Sequence, residues 1–160
     1  MPLKKSALQF SALPFRLQDG ILSVLLITSR ETGRWVIPKG WPEKDLTPAE
    51  VAAHEAYEEA GLKGRVAGQP VASFDYQKRL DNGKRRLCTV LVFPLEVEEE
   101  LAAWPEQHQR RRQWVAPAEA AGRVAELGLK HLFTQLAENA ETRQALQAAC
   151  APVSKTDTDD

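Results

Sequence analysis

"TPAEVAAHEAYEEAGL", residues 47–62, decides the fold. Thr47 suits an N-cap, Pro48 suits the first helical position, and Glu50 completes a capping box with Thr47. Gly61 fits the residue just past a helix end, where the backbone turns left-handed. These signals predict one helix over 48–60, and its alanines at 49, 52, 53, 56 and 60 suit close packing against a sheet. The same helix carries Glu55, Glu58 and Glu59. At about 100° per residue all three share one arc. Like charges so placed repel by roughly 0.2–0.5 kcal/mol per exposed pair, and the macrodipole near the helix C-terminus disfavours them further. On their own, three glutamates also describe a solvated helix face. A divalent cation is one group that would offset their repulsion.

Strand-like runs lie on both sides of this helix. "ALQFSALPFR" (7–16) has strand composition, "QDG" (18–20) is a turn signal, and "ILSVLLIT" (21–28) reads as a buried strand. Polar "SRETGR" then leads to the short apolar "WVI", and "PKGWPEKDLTP" is a loop by its prolines, glycine and charges. Beyond the helix, "VASFDYQ" (71–77) and "RLCTVLVFPLEV" (86–97) form a hairpin pattern around the turn "DNG" at 81–83. "EEELAAWPEQHQR" is expected to be a connection and "RQWVAP" a short strand. Residues 117–149 are helical in pattern, with breaks expected at Gly122 and Gly128. Sheet elements around one early helix, closed by more helix, predict a single mixed α/β domain over 1–149. The polar, acidic tail 150–160 is expected to be disordered.

A chain of 160 residues is long enough for one real core. With 43% apolar and 27% charged residues it reads as an ordinary globular protein. A formal charge of −1 argues against a nucleic-acid coat or a membrane-surface protein. Cys88 and Cys150 are too far apart in sequence and too few for a disulfide framework or a metal knuckle. No segment approaches the roughly 18 apolar residues of a membrane span. "SALQFSALPF" is too short and broken for a signal-peptide core, so the cytoplasm is the expected location.

The placement of the glutamates adds chemistry to the helix. It follows a loop rich in glycine and proline, where backbone can approach a ligand closely. Clustered carboxylates suit hard cations such as Mg²⁺ or Mn²⁺, which in turn neutralise phosphate oxygens. Residues 40–62, "GWPEKDLTPAEVAAHEAYEEAGL", resemble the Nudix box. Gly40, Glu55, Ala56, Glu58, Glu59, Gly61 and Leu62 stand at its spacing, while Leu46 replaces its first glutamate and His54 its arginine. The wider pattern over about 8–140 resembles the diphosphoinositol polyphosphate and diadenosine polyphosphate hydrolase branch.

That resemblance implies an α+β fold, an α/β/α sandwich with a mixed β-sheet and a loop–helix motif. It implies Mg²⁺-dependent hydrolysis of a pyrophosphate bond in a small phosphorylated substrate, either a dinucleoside polyphosphate or a diphosphoinositol polyphosphate. The alternatives are an ADP-ribose or nucleoside triphosphate pyrophosphatase, or a phospho-ligand sensor with weak or no hydrolysis. No membrane and no nucleic-acid polymer is expected as partner. Glu55 and Glu59 would be metal ligands, Glu58 a further ligand or the base toward water, and the backbone at Lys39–Gly40 a carbonyl ligand. Glu96, Glu98, Glu99 and Glu106 are candidates for another acidic ligand. With Leu46 and His54 standing in for both the glutamate and the arginine, a family ion pair is absent without one charge being stranded, and His54 could still bond a neighbouring glutamate.

Cations are localised despite the low net charge. Arg30 and Arg34 flank the turn before the motif loop, and Lys78, Arg79, Lys84, Arg85 and Arg86 surround the hairpin tip. Arg110, Arg111 and Arg112 precede Trp114. Arginine grips phosphate oxygens in a bidentate fashion, and Arg30, Arg34, Lys39, Arg86 and Arg110 are the candidate substrate-binding residues. Hairpin tips are also Lys/Arg-rich for solubility alone. Trp35 and Trp114 are expected in the core and Trp104 as a surface anchor. Trp41 either stacks on a base or packs over the site.

Overall fold

The computed structural model describes residues 6–151, so the expected tail beyond Ala151 lies outside the described residues. Strand β1 (Ala7–Gln18) turns at Asp19–Gly20 into β2 (Ile21–Thr28). Two short strands follow, β3 (Trp35–Val36) and β4 (Lys39–Gly40), and then helix α1 (Pro48–Ala60). Next come β5 (Leu62–Val66), β6 (Ala72–Arg79), β7 (Arg85–Glu100) and β8 (Arg112–Val115). Three helices close the chain: α2 (Pro117–Arg123), α3 (Leu127–Glu138) and α4 (Ala140–Ala149).

The sheet is mixed. β1 runs parallel to β7, pairing Ala7 with Cys88 through Phe15 with Glu96. The other pairings are antiparallel, including β1 with β2 and β4, β2 with β3 and β8, and β7 with β5 and β6. The apolar runs in β1, β2 and β7 are continuous because both faces of the sheet are covered. Leu13, Phe15, Val24, Leu26, Val90 and Val92 face α2–α4. Phe10, Ala12, Leu25, Ile27, Phe93 and Leu95 face α1. The α1 alanines at 49, 52, 56 and 60 let that helix lie close to the strands. This is the expected sandwich of helix, sheet and helix.

Several local expectations change. The sequence "LKGRV" does not mark strand β5, because Gly64 interrupts its pattern and its partner is distant; it pairs with residues 95–100 of β7. That pairing extends β7 through "EEE", which the sequence assigned to a connection. Gly122, last but one in α2, and Gly128, second in α3, flank a break at residues 124–126, and a further break falls at Asn139. Asn139 caps α4 by accepting from the backbone N–H groups of Glu141 and Thr142. Gly128 is small because a Cβ there would collide with Phe74. Cys150, placed with the tail, is buried in the core beside α4. Trp35 and Trp114 are half-buried rather than enclosed, each beneath an arginine: Arg111 and Arg123 over Trp35, Arg16 over Trp114.

Candidate functional site

α1 begins and ends as its sequence dictates. The Thr47 hydroxyl accepts from the Glu50 N–H at 3.1 Å, and the Glu50 carboxylate accepts from the Thr47 N–H at 2.8 Å. Gly61 closes the helix at φ 67°, a left-handed conformation that favours glycine. The C-terminal carbonyls, made worse neighbours by the glutamates, have specific donors. Trp104 Nε1 donates to the Glu59 carbonyl at 3.1 Å, and Arg112 donates to the Ala60 carbonyl at 2.8 Å and the Leu101 carbonyl at 2.7 Å. The Arg112 guanidinium also stacks 4.0 Å from the Trp104 ring. Trp104 is therefore a clasp on α1 rather than a surface anchor, and Arg112 is committed to the fold.

This clasp fixes α1 along one wall of a cleft of about 390 Å³. Glu55 and Glu59 line it together with Lys39, Gly40 and Trp41. Their carboxyls hydrogen-bond each other. Gly40 leaves room for Glu55, because a Cβ there would overlap that carboxylate and displace the side chain. Burial, then the hydrogen bond to Glu55, pushes the Glu59 carboxyl up to about 8, although Arg110 opposes the shift. Burial raises Glu55 as well. Two carboxyls held this closely out of water must share a proton or a cation.

The other candidate residues separate. Glu58 is paired with His54, whose Nε2 lies 3.1 Å from its carboxylate, and it does not line the cleft. His54 Nδ1 lies 3.2 Å from Glu43 in the loop, so the imidazole bridges loop and helix where the family pattern has an ion pair. That hydrogen bond to Glu43 raises the His54 pKa. Of the four further acids only Glu106 reaches the cleft. Glu96 and Glu98 pair with Arg65, and Glu99 lies opposite Lys63 in the sheet.

Arg110 lies in the cleft wall, 2.7 Å from Glu106 and 3.7 Å from Glu59, and donates to the Thr28 carbonyl at 3.2 Å. Arg30 and Arg34 stand on the exposed rim. Arg86 is outside the lining, 5.7 Å from the centre of the Trp41 ring, with Lys78 at 6.0 Å from the same ring. Trp41 is 40% exposed at the mouth. The Lys39 ammonium turns to the floor, 5.1 Å from the Tyr76 ring, and burial lowers its pKa. Gln9, Tyr76 and Glu126, also in the lining, carried no sequence signal, since three distant segments bring them together.

Among the described residues no three acidic, histidine or cysteine side chains converge ready to hold a metal ion. The donor chemistry nevertheless fits a hard divalent cation. Two desolvated carboxyls meet without enough positive charge, backbone at Lys39–Gly40 adjoins them, and Glu106 is close by through Arg110.

Comparison with known proteins shows the family and the fold. The model of the NUDIX domain family matches residues 6–136. Nudix hydrolase 18, mitochondrial, of Arabidopsis thaliana is 35% identical over 133 residues, covering 79% of this chain and 73% of the relative. Diphosphoinositol polyphosphate phosphohydrolase 2 of Rattus norvegicus is 30% identical over 150 residues, covering 92% and 75%. Nudix hydrolase 13, mitochondrial, of Arabidopsis thaliana is 39% identical over 104 residues, and the match covers 62% of this chain and about half, 52%, of that relative. A C. elegans Ap4A hydrolase binary complex superposes with a TM-score of 0.60 at 16% identity, covering 89% of this chain and 98% of the other. The NUDIX domain of Shewanella oneidensis NrtR with ADP ribose gives 0.61 at 17%, covering 89% and 90%. These two show a shared fold.

Proposed function

The chain belongs to the NUDIX domain family, and from that premise we propose that it is a Mg²⁺-dependent hydrolase of pyrophosphate bonds, acting on a dinucleoside polyphosphate or a diphosphoinositol polyphosphate. The observation that carries this reading is the Glu55–Glu59 carboxyl pair, pressed against Gly40 at the wall of a cation-rimmed cleft. Glu55, Glu59 and the backbone at Lys39–Gly40 would hold the metal. When bound, the metal supplies charge neutralisation on the phosphates and a lowered pKa for water. Without the cation Glu55 and Glu59 share a proton, which they would give up to hold it. Arg110 keeps Glu59 and Glu106 in place from the Thr28 side. Arg30 and Arg34, on the exposed rim with Arg30 near Glu106 and Gln109 and Arg34 near Thr32, bind outer phosphate oxygens. Glu58 acts through its partnership with His54, which with Glu43 ties the loop to α1.

The test is a turnover assay with Mg²⁺ on diadenosine polyphosphates, inositol pyrophosphates, ADP-ribose and nucleoside triphosphates, with Glu59→Gln alongside. The expected result is cleavage of one of the first two classes, reduced about 100-fold or more in the variant, comparable to losing a principal electrostatic group. Turnover confined to ADP-ribose or triphosphates would replace the substrate class. Tight binding with no turnover on any compound would make the protein a phospho-ligand sensor.

A further inference from the structure

The carbonyls of residues 58–61, at the end of α1, have no partner within the helix, and its last turn carries no basic residue to meet them. The segment 101–112 meets all four. Its Glu106 N–H donates to the Glu58 carbonyl at 3.0 Å, and Trp104 Nε1 donates to Glu59 at 3.1 Å. The Arg112 guanidinium donates to Ala60 at 2.8 Å, and the Leu101 N–H donates to Gly61 at 2.8 Å. The bond from Trp104 differs from the others, because it falls on the main chain of a residue whose carboxyl lines the cleft. Arg110, from the same segment, stands 3.7 Å from that carboxyl. Trp104 and Arg110 thus hold Glu59 from both ends. Each holder is itself fixed. The Trp104 ring lies between the Arg112 guanidinium, 4.0 Å from its centre, and Gly61, where a Cβ would strike the indole. Arg110 is anchored to β2 through the Thr28 carbonyl at 3.2 Å, and the Arg111 N–H reaches the Thr28 hydroxyl at 2.9 Å. Trp104 itself does not line the cleft. Groups that orient metal ligands from behind typically cost about 10–100-fold in affinity when removed.

We propose that Trp104 is a positioning residue for the cation site: its Nε1–H fixes the backbone of Glu59, so that the carboxyl held by Arg110 stays opposite Glu55. This rests on the cation-dependent reading of the cleft and deepens it, because affinity for the ion then depends on a side chain outside the cleft.

The experiment compares Mn²⁺ binding, followed by electron paramagnetic resonance of the free ion, in the wild type and in two proteins altered at position 104. Trp104→Phe keeps an aromatic ring and loses the donor. A protein carrying 3-benzothienylalanine at 104 keeps both rings with sulfur in place of the N–H, and it decides the matter if the phenylalanine variant does not fold. Thermal melts in EDTA give the stability of each. Phe133→Ala, in the opposite layer, is the control for destabilisation alone. Mn²⁺ affinity is expected to fall about tenfold in both position-104 proteins. It should stay within about twofold in Phe133→Ala, whose site is remote, although that variant melts lower. The Mg²⁺ concentration for half-maximal turnover should rise by the same factor as the Mn²⁺ dissociation constant, with the substrate KM at saturating Mg²⁺ within about twofold. Wild-type Mn²⁺ affinity in the benzothienyl protein, or a loss in Phe133→Ala as large as at position 104, would overturn the positioning role. A wild type that binds Mn²⁺ in the expected pattern but hydrolyses nothing keeps this role and loses the hydrolase reading. A wild type that binds no ion loses both.

Discussion

Glu59 is a carboxyl kept from water by burial and from ionisation by its neighbour Glu55. The consequence for stability has a definite sign. Its folded pKa is raised from an ordinary 4.5 to about 8, so between these values the native state binds more protons than the unfolded chain. Stability of the cation-free protein therefore falls as pH rises through that window. Melts in EDTA at several pH values should show this fall, and Glu59→Gln should flatten it. His54, also raised, shifts stability in the same direction, so the difference between wild type and variant is the quantity to read. Gly40→Ala forces a methyl group onto the Glu55 carboxylate. Overpacking of this kind costs about 1–3 kcal/mol, and the expected outcome is Mg²⁺ affinity reduced about tenfold or more in a titration. At this scale the sequence spoke clearly for Glu55, Glu59 and Gly40, whose spacing is local. It did not reveal Glu43 as the partner of His54, because the acid sits three positions before Leu46, where the motif would place it. Glu126 was equally silent, since one glutamate before a helix looks like any other until Lys39 and Tyr76 lie beside it.

The elements explain how an acidic helix C-terminus is tolerated. Carbonyls at the end of α1 receive Trp104 Nε1 and the Arg112 guanidinium, so positive charge stands where the macrodipole is negative. Arg112→Ala would strip donors from the carbonyls of Ala60 and Leu101. Denaturant unfolding should show a loss of about 1–3 kcal/mol, the range for leaving buried acceptors unsatisfied. Arg111→Ala, which removes only a guanidinium stacked on Trp35, should cost less than about 1 kcal/mol. The three consecutive arginines look alike in sequence, yet one lines the cleft, one lies on Trp35 and one caps α1. Helix α1 was legible because caps, proline and glycine act within a few residues. Strand β5 was not, because only the distant half of β7 makes "LKGRV" a strand. The break at Asn139 has no glycine to mark it. Gly128, in the first turn of α3, also makes room for Phe74.

For the whole molecule, the central fact is a sheet covered on both faces, with α1 and its carboxyls on one side and α2–α4 on the other. Phe133, fully buried in α3, belongs to the second face and does not line the cleft. Phe133→Ala should cost about 3–5 kcal/mol of stability while leaving turnover near wild type at temperatures where the variant is folded. The layer order was readable from apolar runs and one capped helix. The cleft was not, because β1, the motif loop, β6 and the start of α3 meet there only after folding. Direct binding of Mn²⁺, followed by electron paramagnetic resonance of the free ion, is the most direct measurement on the Glu55–Glu59 pair. The wild type should bind the ion, with Glu55→Gln and Glu59→Gln each weakened tenfold or more and Glu99→Gln, remote on β7, unchanged. Equal binding by all four proteins would contradict a cation site at these carboxyls.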